Sequence, residues 1–177
     1  TNALLLTVAA QFNDTIATDI LKWLFNFNVV SGLQNSEYSG YTIQKLNDPE
    51  YKKRIIDFTK FADLGIDDIQ QRNIVEEKNF TINNKKESDL LTASHLLSLH
   101  QKFDKNMNES GFVEFNFKES ESHGTQKYFS LAGPILDTLD KGKILLIDEL
   151  DSKLHPLLTE KIISLFNSPE TNPKNAQ

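Results

Sequence analysis

Residues 143–156 read KILLIDELDSKLHP, and the rest of the chain is best understood outward from them. Ile144, Leu145, Leu146 and Ile147 run without a break into Asp148 and Glu149. A continuous aliphatic run of this kind suits a strand buried on both faces, as in the parallel sheet of an α/β protein. The carboxylates then emerge at the strand's carboxyl end, at the rim where open α/β sheets bind their ligands. There one acid can hold Mg²⁺ through its shell, and the next can orient or deprotonate an attacking water. A core strand that simply ends in two solvated acids would look the same locally, so the flanking sequence has to decide.

Downstream, Leu150-Asp151-Ser152-Lys153-Leu154-His155-Pro156 leads into Leu157, Leu158, Ile162, Ile163 and Phe166. That spacing describes an amphipathic helix with Pro156 in its first turn. Asp148 and Glu149 therefore sit in a strand-turn-helix corner, which is the form of a Walker B strand. Upstream, the segment from Glu121 to Lys127 opens a second helical pattern, with Tyr128, Leu131, Ala132, Ile135, Leu136 and Leu139 on one stripe. Gly133-Pro134 interrupts the stripe and predicts a kink or a shortened helix. Ser122, a spacer and Gly124 at this helix start can form an anion site from free N–H groups and the helix dipole. The same residues also suit an ordinary N-cap. Their place 26 residues before Asp148 connects them to the acid pair.

On these motifs the chain resembles the head of ABC-type ATPases of the SMC and RecF-like kind. It is more closely similar to bacterial AAA-family ATPases often described as ATP/GTP phosphatases and linked to abortive-infection or restriction loci. Ser122 and Gly124 match the second and fourth positions of the LSGGQ-type signature, Asp148 and Glu149 the Walker B pair, and Ser152-Lys153-Leu154-His155 the D-loop. Glu121, His123 and Thr125 depart from the transporter form of the signature, as they do in the phosphatase-type family, which argues against a membrane transporter. The opening LLLTVAAQFN and the later ESHGTQKYFSLAGPI extend the likeness over most of the chain. The resemblance implies an α/β fold, part of a P-loop NTPase head, that uses ATP and Mg²⁺ and sandwiches nucleotide in an ATP-dependent homodimer. It implies that Ser122, Gly124, Thr125 and His155 contact nucleotide, the signature acting on the partner's γ-phosphate. Asp148 would order Mg²⁺, and Glu149 would be the catalytic residue that activates water. An effector protein or DNA would be a further partner, in a defence or DNA-related system.

One expected part is missing. A P-loop needs G-x-x-x-x-G-K-[ST] to wrap phosphates with backbone N–H groups. No pair among Gly32, Gly40, Gly65, Gly111, Gly124, Gly133 and Gly142 has that spacing and ending. The chain also starts at Thr1 and stops at Gln177, before the strand and histidine switch of ABC heads. Both observations lead to the expectation of an interior piece of a longer ATPase, inactive by itself.

Composition narrows the class further. With 38% hydrophobic and 10% aromatic residues, 177 residues can bury one core or two small ones. A net charge of −6 makes the overall surface a poor non-specific binder of nucleic acid, and the short Lys52-Lys53-Arg54 run reads as a solvated helix face. The chain has no cysteine, which excludes disulfides and cysteine-ligated zinc and fits a reducing compartment. With no apolar run of membrane-spanning length and no signal peptide, the expected location is cytoplasmic and away from membranes.

In chain order, residues 3–10 are apolar and ambiguous between helix and strand. Gln11 invites comparison with a Q-loop glutamine or reads as a surface amide. Ile16, Ile20, Trp23, Leu24 and Phe27 predict a helix packed on a broad apolar face. An interfacial membrane helix would want a basic polar face, and only Lys22 is available. Residues 31–47 read as turn-rich. Asp48-Pro49 starts a helix with Tyr51, Ile55, Phe58 and Ala62 inward, closed by Gly65. Residues 67–78 read as extended and 79–88 as a polar loop. Residues 96–103 and 111–118 predict a hairpin, the second strand alternating as a half-buried strand does. The expected organisation is a helical arm subdomain with a small antiparallel sheet over 1–118, and the ATPase core over 119–177. His95 and His100 fall on opposite faces of a strand, and no histidine metal site is expected. Two rivals stay open: a binding module that has lost hydrolysis, and a metal-dependent nuclease using Asp148, Glu149 and Asp151.

Overall fold

The computed structural model describes residues 4–31, 35–63, 65–82 and 85–177, and the side chains of all these except 35–37, 74–82 and 85–94. The fold is mixed α/β, with one parallel and one antiparallel sheet. The chain forms two compact units, residues 1–38 with 133–177 and residues 39–132.

The first unit contains the parallel pair. Strand β1 (Phe27–Ser31) runs beside β5 (Ile144–Asp148), in register from Phe27 opposite Ile144 to Ser31 opposite Asp148. Parallel neighbours need a long crossover, and here it is the whole second unit. The strand forms where expected, but it is not buried on both faces. Leu146 is half-exposed and its partner Val29 is 76% exposed. The other edge of β5 meets the last residue: the Gln177 N–H donates to the Lys143 carbonyl (3.0 Å), and the Leu145 N–H donates to the Gln177 carbonyl (2.6 Å). Those two bonds have the pattern of a parallel ladder.

Two helices precede β1. The ambiguous opening is helical, α1 (Leu5–Gln11), and α2 (Thr15–Leu24) is capped by Asp14, whose carboxylate accepts the Ala17 N–H at 2.7 Å. The predicted packing of α2 is corrected. Only Ala17 is buried, while Ile16, Ile20, Trp23 and Leu24 are exposed, and Phe27 belongs to β1. Periodicity fixes which side chains share a face, not whether anything covers it.

Helix α6 (His123–Lys141) runs through both units, and every residue from 127 to 139 is buried. Of the two expectations, a kink or a shortened helix, the second is corrected: Pro134 lies inside the helix, which continues to Lys141. Pro134 has no N–H for the carbonyl four residues back, that of Ser130. The Thr42 hydroxyl donates to this carbonyl instead, at 2.6 Å. Thr42→Val keeps the shape and removes that donor, so it should cost about 1–3 kcal/mol of stability, the scale of a buried group left unsatisfied. An unchanged denaturation midpoint would refute this account of how the proline is tolerated.

The end of α6 is a Schellman turn, with Gly142 N–H bonded to Leu139 O and Lys143 N–H to Thr138 O. Gly142 has φ of +62°, and a Cβ there would lie 2.8 Å from the Lys174 carbonyl oxygen, so the turn into β5 requires glycine twice over. Asn28 of β1 donates to the Thr138 hydroxyl of α6 at 2.9 Å, fixing the strand against the helix. Helix α7 (Pro156–Asn167) follows β5 and buries Leu158 and Ile162.

In the second unit, α4 (Pro49–Lys60) starts as predicted. Asp48 accepts the Glu50 and Tyr51 N–H groups, and Ile55 and Phe58 are buried. The segment 31–47 is not simply turns: residues 32–34 lie outside the described residues, and α3 (Asn35–Lys45), whose first four residues fall in the first unit, occupies most of the rest, with Tyr38, Thr42 and Leu46 buried at four-residue intervals. Three strands follow in the order β2-β3-β4: β2 (Ile66–Ile82), β3 (Lys85–Phe103) and β4 (Glu109–Asn116). Of the predicted 79–88 loop, residues 79–82 and 85–88 are instead paired in the β2–β3 ladder, from Asn79 opposite Ser88 to Ile82 opposite Lys85, and residues 83–84 lie outside the described residues. The predicted β3–β4 hairpin is present, turning on Asp104, whose carboxylate accepts the Asn106 and Asn108 N–H groups. Strand β4 is mostly exposed, and Phe117 starts the short helix α5 (Phe117–Ser120) instead of ending the strand. Tyr128 stacks on Phe58 at 4.2 Å, and Phe117 tilts against Phe129 at 4.8 Å, joining α4, α5 and the first half of α6 in one core.

Candidate functional site

The predicted site residues fall in two places, one in each unit. In the second unit, Glu121, Ser122, Gly124 and Thr125 form the approach to α6. Ser122 caps the helix: its hydroxyl oxygen accepts the Thr125 N–H at 3.0 Å and lies 2.8 Å from the Thr125 hydroxyl. The Ser122 carbonyl accepts the Gln126 N–H, closing the first turn. Ser122 and His123 are exposed, Gly124 is half-buried and Thr125 is buried. The arrangement thus presents a hydroxyl and a helix start to solvent, with Thr125 behind as support. Such a start carries partial positive charge and suits an anion.

Sequence reasoning passed over the residue before the cap. The side chain of Glu121 is buried, and one carboxylate oxygen accepts from the Ser98 hydroxyl at 2.5 Å and pairs with His100 Nε2 at 2.7 Å. Gln126 donates from its side chain to the carbonyls of Lys118 and Glu121. His100 also sits edge-on to Phe115 of β4.

In the first unit, Asp148 ends β5 and is exposed, as is Glu149. The register sets Ser31, the last residue of β1, beside Asp148, a neighbour that nothing in the linear sequence indicates. Glu149 has φ of +51°, left-handed backbone that is uncommon outside glycine and asparagine. Such conformations cluster at functional sites, where the surrounding structure holds them. Here two overlapping turns do so: Ser152 N–H to Glu149 O, and Leu154 N–H to Asp151 O, both 3.1 Å. Lys153 is left-handed as well, and buried Leu154 anchors the turn. His155 is the N-cap of α7, its Nδ1 accepting the Leu157 N–H at 3.3 Å. Because that nitrogen is an acceptor, a neutral His155 carries its proton on Nε2.

The acids suit Mg²⁺ better than a metal held by protein alone. Among the described residues, no group of three or more histidine, aspartate or glutamate side chains could hold a metal ion. Mg²⁺ typically binds one or two carboxylates and completes its shell with water and phosphate oxygens. Asp148, exposed at the end of a parallel strand, offers that kind of partial site. The three acids of the nuclease reading, Asp148, Glu149 and Asp151, do not form a metal cluster. Among the described residues no helix is long and apolar enough to cross a membrane.

A family model described as "AAA domain, putative AbiEii toxin, Type IV TA system" matches residues 10–177. No curated protein and no solved structure matches the chain.

Proposed function

The chain belongs to this AAA-domain family, a family of P-loop ATPases, and from that premise we propose that it is the signature, Walker B and D-loop part of an ATP-hydrolysing head. The observation that carries the reading is the corner at the end of β5. An exposed Asp148 closes a parallel strand, and Glu149 follows in a held left-handed conformation before a capped helix. ATP with Mg²⁺ would supply the transferable phosphoryl group and neutralise its charge. Asp148 is the residue that would hold the ion. Glu149 accepts a proton from the attacking water and aligns it. Ser122 and the start of α6, with Gly124 permitting close approach and Thr125 orienting the serine, donate to the γ-phosphate of a second protomer's nucleotide. His155, exposed at the start of α7, would contact that nucleotide or the partner.

The phosphate cradle comes from outside these 177 residues, since no P-loop motif occurs in them. The purified chain should therefore show no appreciable ATP turnover, because the P-loop supplies most phosphate contacts and a neutralising lysine. Robust turnover by the chain alone, abolished by Glu149→Gln, would overturn the division of labour proposed here. The setting in an abortive-infection or toxin–antitoxin system follows the family description and is part of the same proposal.

A further inference from the structure

We propose that Glu121 is a positioning residue for the signature serine, held by Ser98 and His100 of β3, and that it couples the antiparallel sheet to the phosphate-facing start of α6. This rests on the reading of Ser122 as a donor to the partner's nucleotide. Glu121 is extended (φ −81°, ψ 149°) between α5 and the Ser122 cap. Its N–H donates to the Phe117 carbonyl at 3.2 Å and its carbonyl accepts from Gln126 at 2.8 Å. Its carboxylate, 5% exposed, takes both Ser98 and His100. The peptide entering Ser122 is therefore fixed at three points.

A surface cap needs none of this. A buried carboxylate is costly unless its hydrogen bonds are met, and a well-packed apolar side chain can often replace a buried polar cluster without loss of stability. Both donors come from one strand, 23 and 21 residues earlier in sequence. Displacement of β3 would thus pull on the residue adjoining Ser122. The Ser122 hydroxyl is already committed to both the N–H and the hydroxyl of Thr125, so its remaining direction follows the backbone that Glu121 holds.

The test uses the full-length protein that contains these residues and a P-loop. Glu121→Ala should lower kcat about tenfold or more while leaving KM for ATP nearly unchanged, because displacement by a fraction of an ångström is felt in turnover. Glu121→Gln keeps an oxygen acceptor for Ser98 and His100 and should recover most of the rate. Ser98→Ala removes one small hydroxyl, keeps the fold, and should lower kcat several-fold with the same unchanged KM. Glu149→Gln is the control for the underlying reading. If it abolishes turnover while folded Glu121→Ala and Ser98→Ala proteins keep the parent kcat, the positioning role is wrong and the ATPase reading stands. If Glu149→Gln also has no effect, the ATPase reading itself fails. A loss in Glu121→Ala that Gln does not recover, or that appears equally in KM, would reduce Glu121 to a structural residue.

Discussion

Glu149→Gln, in the full-length protein that joins these residues to a P-loop, is expected to keep ATP binding and lower turnover at least about a hundredfold, the scale of a lost general base. The substitution is close to isosteric and leaves an oxygen to orient water, but the amide cannot take the proton. The position is exposed at the end of a strand and held by a turn, so the change should not disturb a core. Asp148→Asn should fail differently, by weakening Mg²⁺-dependent nucleotide binding, because the ion loses an anionic ligand. The two variants therefore separate along binding and turnover. Parent-like hydrolysis by both would show that the acids merely end a strand and that the Walker B assignment is wrong.

Ser122→Arg is expected to abolish turnover and ATP-driven dimerisation while sparing nucleotide binding by the monomer. Ser122 is exposed, and its hydroxyl caps α6 in any case. Ser122→Ala alone cannot decide between readings, since loss of the cap costs roughly 1 kcal/mol under both. Arginine adds bulk where a partner's phosphate would sit. Comparing the two variants isolates that effect from the missing cap. If Ser122→Arg and Ser122→Ala both dimerise and turn over ATP near the parent level, the serine is a helix cap and no more.

Much of the fold can be read from residues whose signals are local. Asp48-Pro49 and the spacing of Ile55 and Phe58 specify α4, and Pro156 with Leu158 and Ile162 specifies α7. The strand at 144–148 and the turn after it are equally plain, and with them the positions of Asp148, Glu149 and His155. What escapes the sequence depends on distant partners. Phe27 continues the apolar spacing of the preceding helix, and only pairing with β5 makes it the first residue of a strand. The polar run 79–88 gives no strand pattern, yet residues 79–82 pair with 85–88, because antiparallel ladders are joined through backbone groups. Pro134 reads as a kink or a helix end, because its compensation comes from the Thr42 hydroxyl on another helix. Glu121 reads as an irregular signature position, and its burial becomes intelligible only once β3 delivers Ser98 and His100.

On the proposed reading the nucleotide site is composite, completed by Ser122 from across a dimer. Mixing the Ser122→Arg protein with a P-loop-lysine variant of the same full-length protein tests it most directly. In either variant alone every possible composite site is defective. The mixed dimer contains one site with an intact P-loop facing an intact Ser122, so ATP turnover should partly return on mixing. A mixture shown to contain heterodimers that still does not hydrolyse ATP would contradict action in trans.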